Sequence, residues 1–168
     1  MPSQHIILIL GSNINPQINI PGALQKIKDQ TTLLMKSSIF KIPAEPNPDQ
    51  YPPFWNAALS IKSNLSKNEL KNTVCRPIES ELGRVRSNDK NAPREIDIDV
   101  CIHEPDNYYD TDINTLPFLS FLINEIAPDI YIPDTKQSIR TIEKRLNSIN
   151  LRNQYIKINE EEWSCQLH

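Results

Sequence analysis

The chain has 168 residues, 38% of them hydrophobic and 23% charged, which suits one domain with an adequate core and would be cramped for two. Its formal charge of −3 argues against nonspecific affinity for nucleic acid. Cys75, Cys101 and Cys165 are widely spaced and odd in number, so they give neither a disulfide framework nor a zinc pattern, and a reducing cytoplasm is the simplest setting. The apolar run over 6–10 has no basic residue before it and is too short for a signal peptide or a membrane span.

That run reads as a buried strand, ended by the turn chemistry of Gly11-Ser12-Asn13. Pro21 can open a helix in which Ile20, Ala23, Leu24 and Ile27 recur at helical spacing. A second strand is expected over 33–41, followed by a proline-rich surface loop containing Pro43, Pro46, Pro48, Pro52 and Pro53. Alternation returns over 54–62, with Trp55, Ala57, Leu59 and Ile61 on one face and Phe54, Asn56, Ala58 and Ser60 on the other.

The next helix is well announced. Ser66 and Glu69 form a capping box, and Leu65 with Leu70 a hydrophobic staple. Leu70, Val74, Ile78 and Leu82 carry the buried stripe to Gly83, which suits a helix C-terminus, while Pro77 inside the pattern predicts a kink. A loop rich in Arg84, Arg86, Lys90 and Arg94 then enters the fourth strand. Beyond it, 103–115 is polar and turn-rich, 118–126 is expected as a short helix, 139–149 as a final helix, and 155–158 as a short strand.

On the fourth strand Ile96, Ile98, Val100 and Ile102 point one way, and Asp97, Asp99, Cys101 and His103 the other. The Cα atoms of Asp97 and Asp99 are then about 6.6 Å apart on one face. Two carboxylates held so close repel unless a cation lies between them, and hard cations such as Mg2+ take oxygen ligands. A half-buried strand with a wetted polar face would show the same alternation. The order strand, helix, strand, strand, helix, strand matches a ferredoxin-like α+β sandwich, an antiparallel sheet with helices on one face. In that arrangement Ile96, Ile98, Trp55, Leu59 and Ile61 face the helices, leaving Asp97, Asp99, Phe54 and Asn56 opposite. A sheet face carrying Asp97 and Asp99 would repel nucleic-acid phosphates.

Leu10-Gly11-Ser12-Asn13, Phe54-Trp55-Asn56-Ala57-Ala58, Ile78-Glu79 with Leu82-Gly83-Arg84, Pro93-Arg94 through Asp99, and Glu125-Ile126-Ala127-Pro128 stand in a recognisable order. Together they resemble the 6-hydroxymethyl-7,8-dihydropterin pyrophosphokinases over about 5–133, with 134–168 as a C-terminal extension of a single domain. The resemblance implies transfer of pyrophosphate from ATP to the hydroxymethyl group of a reduced pterin, with AMP released, in folate biosynthesis. It implies that Asp97 and Asp99 hold two Mg2+ ions. Arg84 and Arg94 would clamp the reacting phosphates, with Glu79 and Arg86 beside the nucleotide. Asn56 would read the pterin, with Phe54 and Phe118 stacking on its two faces. No nucleic acid or membrane is implied as a partner.

The chain departs from the family pattern on the nucleotide side. Asn114-Thr115-Leu116-Pro117-Phe118 stands where a Pro-His-Pro segment is usual, Asn91 replaces an aromatic, Ser87 a basic residue and Ile42 a threonine. These departures keep open a second reading, a non-catalytic pterin-binding paralogue with a reduced nucleotide site.

Overall fold

The computed structural model describes residues 4–161; Cys165 and His168 lie outside them. The structure is built on an antiparallel sheet whose central strand is β1 (Ile6–Ser12). Every residue of β1 is buried, as its unbroken apolar run requires for a strand covered on both faces. On one side it pairs with β4 (Phe54–Lys62) and on the other with β5 (Asp97–His103). Outside β4 lie β2 (Thr32–Lys36) and β3 (Phe40–Ile42), and β7 (Ile156–Lys157) closes the edge beyond β3. β6 (Tyr108–Tyr109) extends the other edge.

The single strand expected over 33–41 is divided. Ser37 turns its hydroxyl inward to accept the Ala58 N–H at 2.8 Å, and the Ser38 N–H is taken by the Glu125 carboxylate at 2.7 Å. Those side chains satisfy backbone donors where the ladder is interrupted.

α1 (Pro16–Gln30) starts earlier than Pro21 suggests. Pro16 takes the first helical position, where a missing N–H costs nothing, and Asn15 before it adopts left-handed backbone angles. The capping box is present as expected: Glu69 N–H donates to the Ser66 hydroxyl, and Ser66 N–H to the Glu69 carboxylate. From there the chain runs through α2 (Lys67–Leu70), a π-helical stretch (Lys71–Cys75) and α3 (Arg76–Glu81). The irregularity expected at Pro77 therefore takes the form of a widened turn just before it.

α1, the stretch 67–81 and the faces of Trp55, Ala57, Leu59 and Ile61 enclose one core with Ile96, Ile98 and Val100. The opposite sheet face is partly covered as well. α4 (Pro117–Ile126) and α5 (Ile139–Leu146) pack there on Ile7, Ile9, Phe40 and Ala58, forming a second core. The α+β antiparallel sandwich thus carries an additional helical layer, with part of that face left open as a cleft. α6 (Ile149–Arg152) follows α5 and is tied to it by Arg152, whose Nε donates to Glu143 Oε1 at 2.9 Å. The expected final helix over 139–149 is broken at Asn147 and Ser148, and Ser148 caps the second piece.

One register detail corrects the alternation expected on β5. Ile7 pairs with Ile102 and Leu8 with Val100, so Cys101 is an extra residue in the ladder. Beyond that bulge the two faces exchange: Ile102 joins Cys101 in the second core, and His103 turns to the first, its Nε2 3.0 Å from the Leu65 carbonyl. Asp97 and Asp99 lie before the bulge and keep the expected face.

Candidate active site

The register places the candidate residues in one row. Gly11 is paired with Asp97 on one side and Asn56 on the other, and Asn56 in turn with Phe40. Asp99 stands one step along, opposite Ile9. A methyl group on Gly11 would come within 3.0 Å of the Asn56 side-chain oxygen and 3.8 Å of the Phe54 ring. Glycine thus leaves room for the Asn56 amide in the gap between β4 and β5.

Two clefts meet at this row. The larger, about 480 Å3, has Phe54, Asn56 and Phe118 in its walls, together with Ile42, Tyr51 and Asn91. Its far side is closed by Leu151, Gln154 and Tyr155, so the C-terminal segment helps to shape it. The second, about 450 Å3, is strongly charged: Lys71, Arg76, Arg84 and Arg86 line it with Glu79. Lys90, Arg94, Asp97 and Asp99 belong to both. The structure therefore gathers every candidate residue named from the sequence around one bipartite cavity.

Local backbone rules explain how the cations get there. α3 ends on Gly83, whose φ of +92° is open to glycine. Its N–H reaches the Ser80 carbonyl at 3.1 Å, and the Arg84 N–H reaches Glu79 at 3.0 Å, the paired bonds of a Schellman cap. The turn brings the Arg84 side chain back over Glu79, with Nη1 2.7 Å from Oε1, and also onto Asp97 Oδ1. Arg94 reaches the other oxygen of Asp97, Nη1 to Oδ2, at 2.9 Å. Its guanidinium carbon lies 6.0 Å from the centre of the Phe54 ring, at the outer limit of a cation–π contact.

Glu79 is buried and fully engaged. Beyond Arg84 it accepts the Ile98 N–H at 2.8 Å and approaches Arg86 Nη2 at 3.3 Å. Desolvation raises its pKa, opposed by the Ile98 N–H and the Arg84 charge. Burial works against the Arg84 charge, but Asp97 and Glu79 outweigh it and hold that guanidinium's pKa above its ordinary value. The arrangement pins Arg84 between two carboxylates on different elements.

Asp99 is an exposed residue that opens into both clefts. Desolvation first, then the charges of Asp97 and Glu79, push its pKa up to about 7. Among the cations, Lys71 and then Arg84 act against that rise. A carboxylate in this condition is short of positive charge. Among the described residues no cluster of three or more His, Cys, Asp or Glu side chains offers a closed metal cage. The pair Asp97 and Asp99 nevertheless fits Mg2+, which is commonly held by one or two carboxylates with water and substrate phosphates completing its shell.

Sequence reasoning missed the part played by Asn13. Its side-chain oxygen accepts the Arg94 N–H at 2.8 Å, its amide donates to the Pro52 carbonyl at 3.1 Å, and its backbone N–H donates to the Arg94 carbonyl at 3.1 Å. One buried asparagine thereby joins the proline-rich loop to the backbone of Arg94. A second tie between those loops runs from the Tyr51 hydroxyl to Asp89 at 3.1 Å. Of the departures, Ile42 and Asn91 line the larger cleft and Ser87 the charged one.

The model of the 7,8-dihydro-6-hydroxymethylpterin-pyrophosphokinase family matches residues 7–142. The chain belongs to that family. Among relatives of this chain is the folate synthesis bifunctional protein of Arabidopsis thaliana, 30% identical over 101 residues, an alignment covering 60% of this chain and 21% of the relative. The crystal structure of Plasmodium falciparum HPPK-DHPS wild type with SDX-DHP shares the fold with a TM-score of 0.70. At 12% identity that likeness speaks for fold alone; it covers 93% of this chain and 47% of that one. The chain thus spans about half the length of the structural relative and about a fifth of the curated one. Among the described residues no helix is long and apolar enough to cross a membrane.

Proposed function

We propose that this chain transfers pyrophosphate from ATP to 6-hydroxymethyl-7,8-dihydropterin, releasing AMP, as a step of folate biosynthesis. The observation that carries the reading is the bipartite cavity: an apolar cleft bearing Phe54, Asn56 and Phe118 opens at Asp97 and Asp99 into a cleft lined by arginines. The apolar arm suits a flat ring whose polar edge needs an amide partner. The charged arm suits a polyphosphate.

In this reading Phe54 and Phe118 hold the pterin faces, and Asn56 selects its edge by hydrogen bonds. Asp97 and Asp99 would hold two Mg2+ ions, which supply charge neutralisation on the transferred group and orient its oxygens. The hydroxymethyl oxygen forms a bond to the β-phosphorus as the bond from that phosphorus to the bridging oxygen of AMP breaks, and the hydroxyl proton is released. Arg84 and Arg94, already fixed on Asp97, would meet the charge that builds on the reacting oxygens. Glu79 would act through Arg84 and Arg86, holding both at the phosphate side. Residues 1–168 are taken as one domain, since Leu151, Gln154 and Tyr155 complete the pterin cleft; a cytoplasmic setting accords with the buried free Cys75 and Cys101.

No observation favours the non-catalytic alternative. Mixing the chain with ATP, Mg2+ and the reduced pterin should release AMP in step with pyrophosphorylated pterin. Absence of AMP at high enzyme concentration would defeat the proposal.

A further inference from the structure

We propose that Lys71 and Arg76 add a second group of cations that binds the nucleotide's phosphates in the charged cleft bearing Asp97 and Asp99. The inference rests on the pyrophosphokinase reading and adds residues to it. Both side chains line the charged cleft from the helical stretch, whereas Arg84, Arg86, Lys90 and Arg94 come from the loop that follows it.

Their availability differs from that of the loop cations. Arg84 and Arg94 are taken up by Asp97 and Glu79, and Arg86 by Glu79. Lys71 is exposed and has no ion-pair partner among the described residues, although its charge is felt at Asp99. Arg76 spends one nitrogen on Asn72 Oδ1 at 2.9 Å and keeps the remaining donors of its fork. An ammonium left unpaired beside a carboxylate-floored cleft is a ready partner for an incoming polyphosphate.

The local backbone gives the placement its reason. Lys71 opens the π-helical stretch, with the Arg76 N–H returning to the Lys71 carbonyl. A widened turn changes the angular step between residues, so Lys71 and Arg76 come to line the same cleft although a regular helix sets residues five apart on different faces. Wide turns of this kind recur at functional sites.

The test is calorimetry on the full chain with Mg2+ and α,β-methylene-ATP, in which the bond to be cleaved is blocked. Lys71→Ala should weaken nucleotide binding about tenfold, the scale of one charge-assisted contact, and Lys71→Ala with Arg76→Ala by more. Lys71→Arg should keep most of the affinity, and pterin binding should be unchanged in all three. Inorganic tripolyphosphate, used as a competitor, should lose affinity for Lys71→Ala by the same factor, because it shares the phosphates and not the base. Nucleotide affinity equal to wild type in the double variant overturns the inference, as does a loss for the nucleotide without one for tripolyphosphate. If wild type releases AMP while the variants bind normally, only this inference falls; if wild type binds no nucleotide, the pyrophosphokinase reading falls with it.

Discussion

Gly11 and Asn56 form a pair in which the smaller residue makes room for the larger one's chemistry. Alanine at position 11 would set its methyl 3.0 Å from the Asn56 oxygen, so the amide must turn towards the cleft by a few tenths of an ångström. The buried strand itself needs no change. Gly11→Ala should therefore fold with a melting temperature close to wild type, raise the KM for the pterin about tenfold and leave nucleotide affinity alone, the cost of one misplaced hydrogen-bonding group. Equal rises in both constants would show that the row reads neither substrate selectively. Asn13 gives a complementary case. Its amide spans two loops, so Asn13→Ser, too short to reach Pro52 and Arg94 together, should lower kcat by loosening Arg94 with less effect on folding than on turnover.

Among elements, the end of α3 shows how a backbone rule delivers a functional group. Gly83 at φ +92° costs little, and any residue with a Cβ must adopt a disfavoured conformation there. Gly83→Ala should destabilise the chain by about 1 kcal/mol, or about 3 °C in Tm, read by thermal unfolding. This cap was legible in the sequence, as were the Ser66 capping box and the strand over 54–62, because each depends on near neighbours or on a sustained period of two. The elements that escaped depend on distant partners. The bulge at Cys101 exists only relative to the β1 ladder, and nothing in Asp99-Val100-Cys101-Ile102 marks it. The second helical layer over the sheet is set by α4 and α5 packing on Phe40 and Ala58, which a reading of separate segments does not bring together. Pro21 drew the start of α1 too late because Pro16 fills the same role five residues earlier. The candidate site was legible where an ordered set of motifs carried it, from Phe54 and Asn56 to Asp97 and Asp99. Lys71 was not, since an exposed lysine on a helix is ordinarily a solvated charge, although Lys71, Cys75 and Glu79 stand four apart.

For the whole molecule, bringing the carboxylates together has a cost in stability that a cation bound between them would remove. Asp99 has a pKa of about 7 in the folded chain, against about 3.9 in an unfolded one. The group holds its proton more tightly when folded, so its contribution to stability is full below about pH 4 and is lost as the pH rises through 7. Without metal, wild type should therefore melt below Asp99→Asn at pH 8, with the gap narrowing at pH 5. Glu79 is raised by desolvation in the same direction and is present in both proteins, so the difference reports position 99 together with its repulsion from Asp97 and Glu79. Mg2+ should raise the wild-type melting temperature at pH 8, where Asp99 is ionised and free to bind, and have little effect at pH 5, where protons occupy the carboxylate. Asp99→Asn should respond weakly at either pH. The same substitution should abolish AMP release, so a more stable protein would be a less active one. If wild type and Asp99→Asn melt together at pH 8 in the absence of metal, Asp99 is not the strained member of the pair, and the metal requirement must be sought at Asp97.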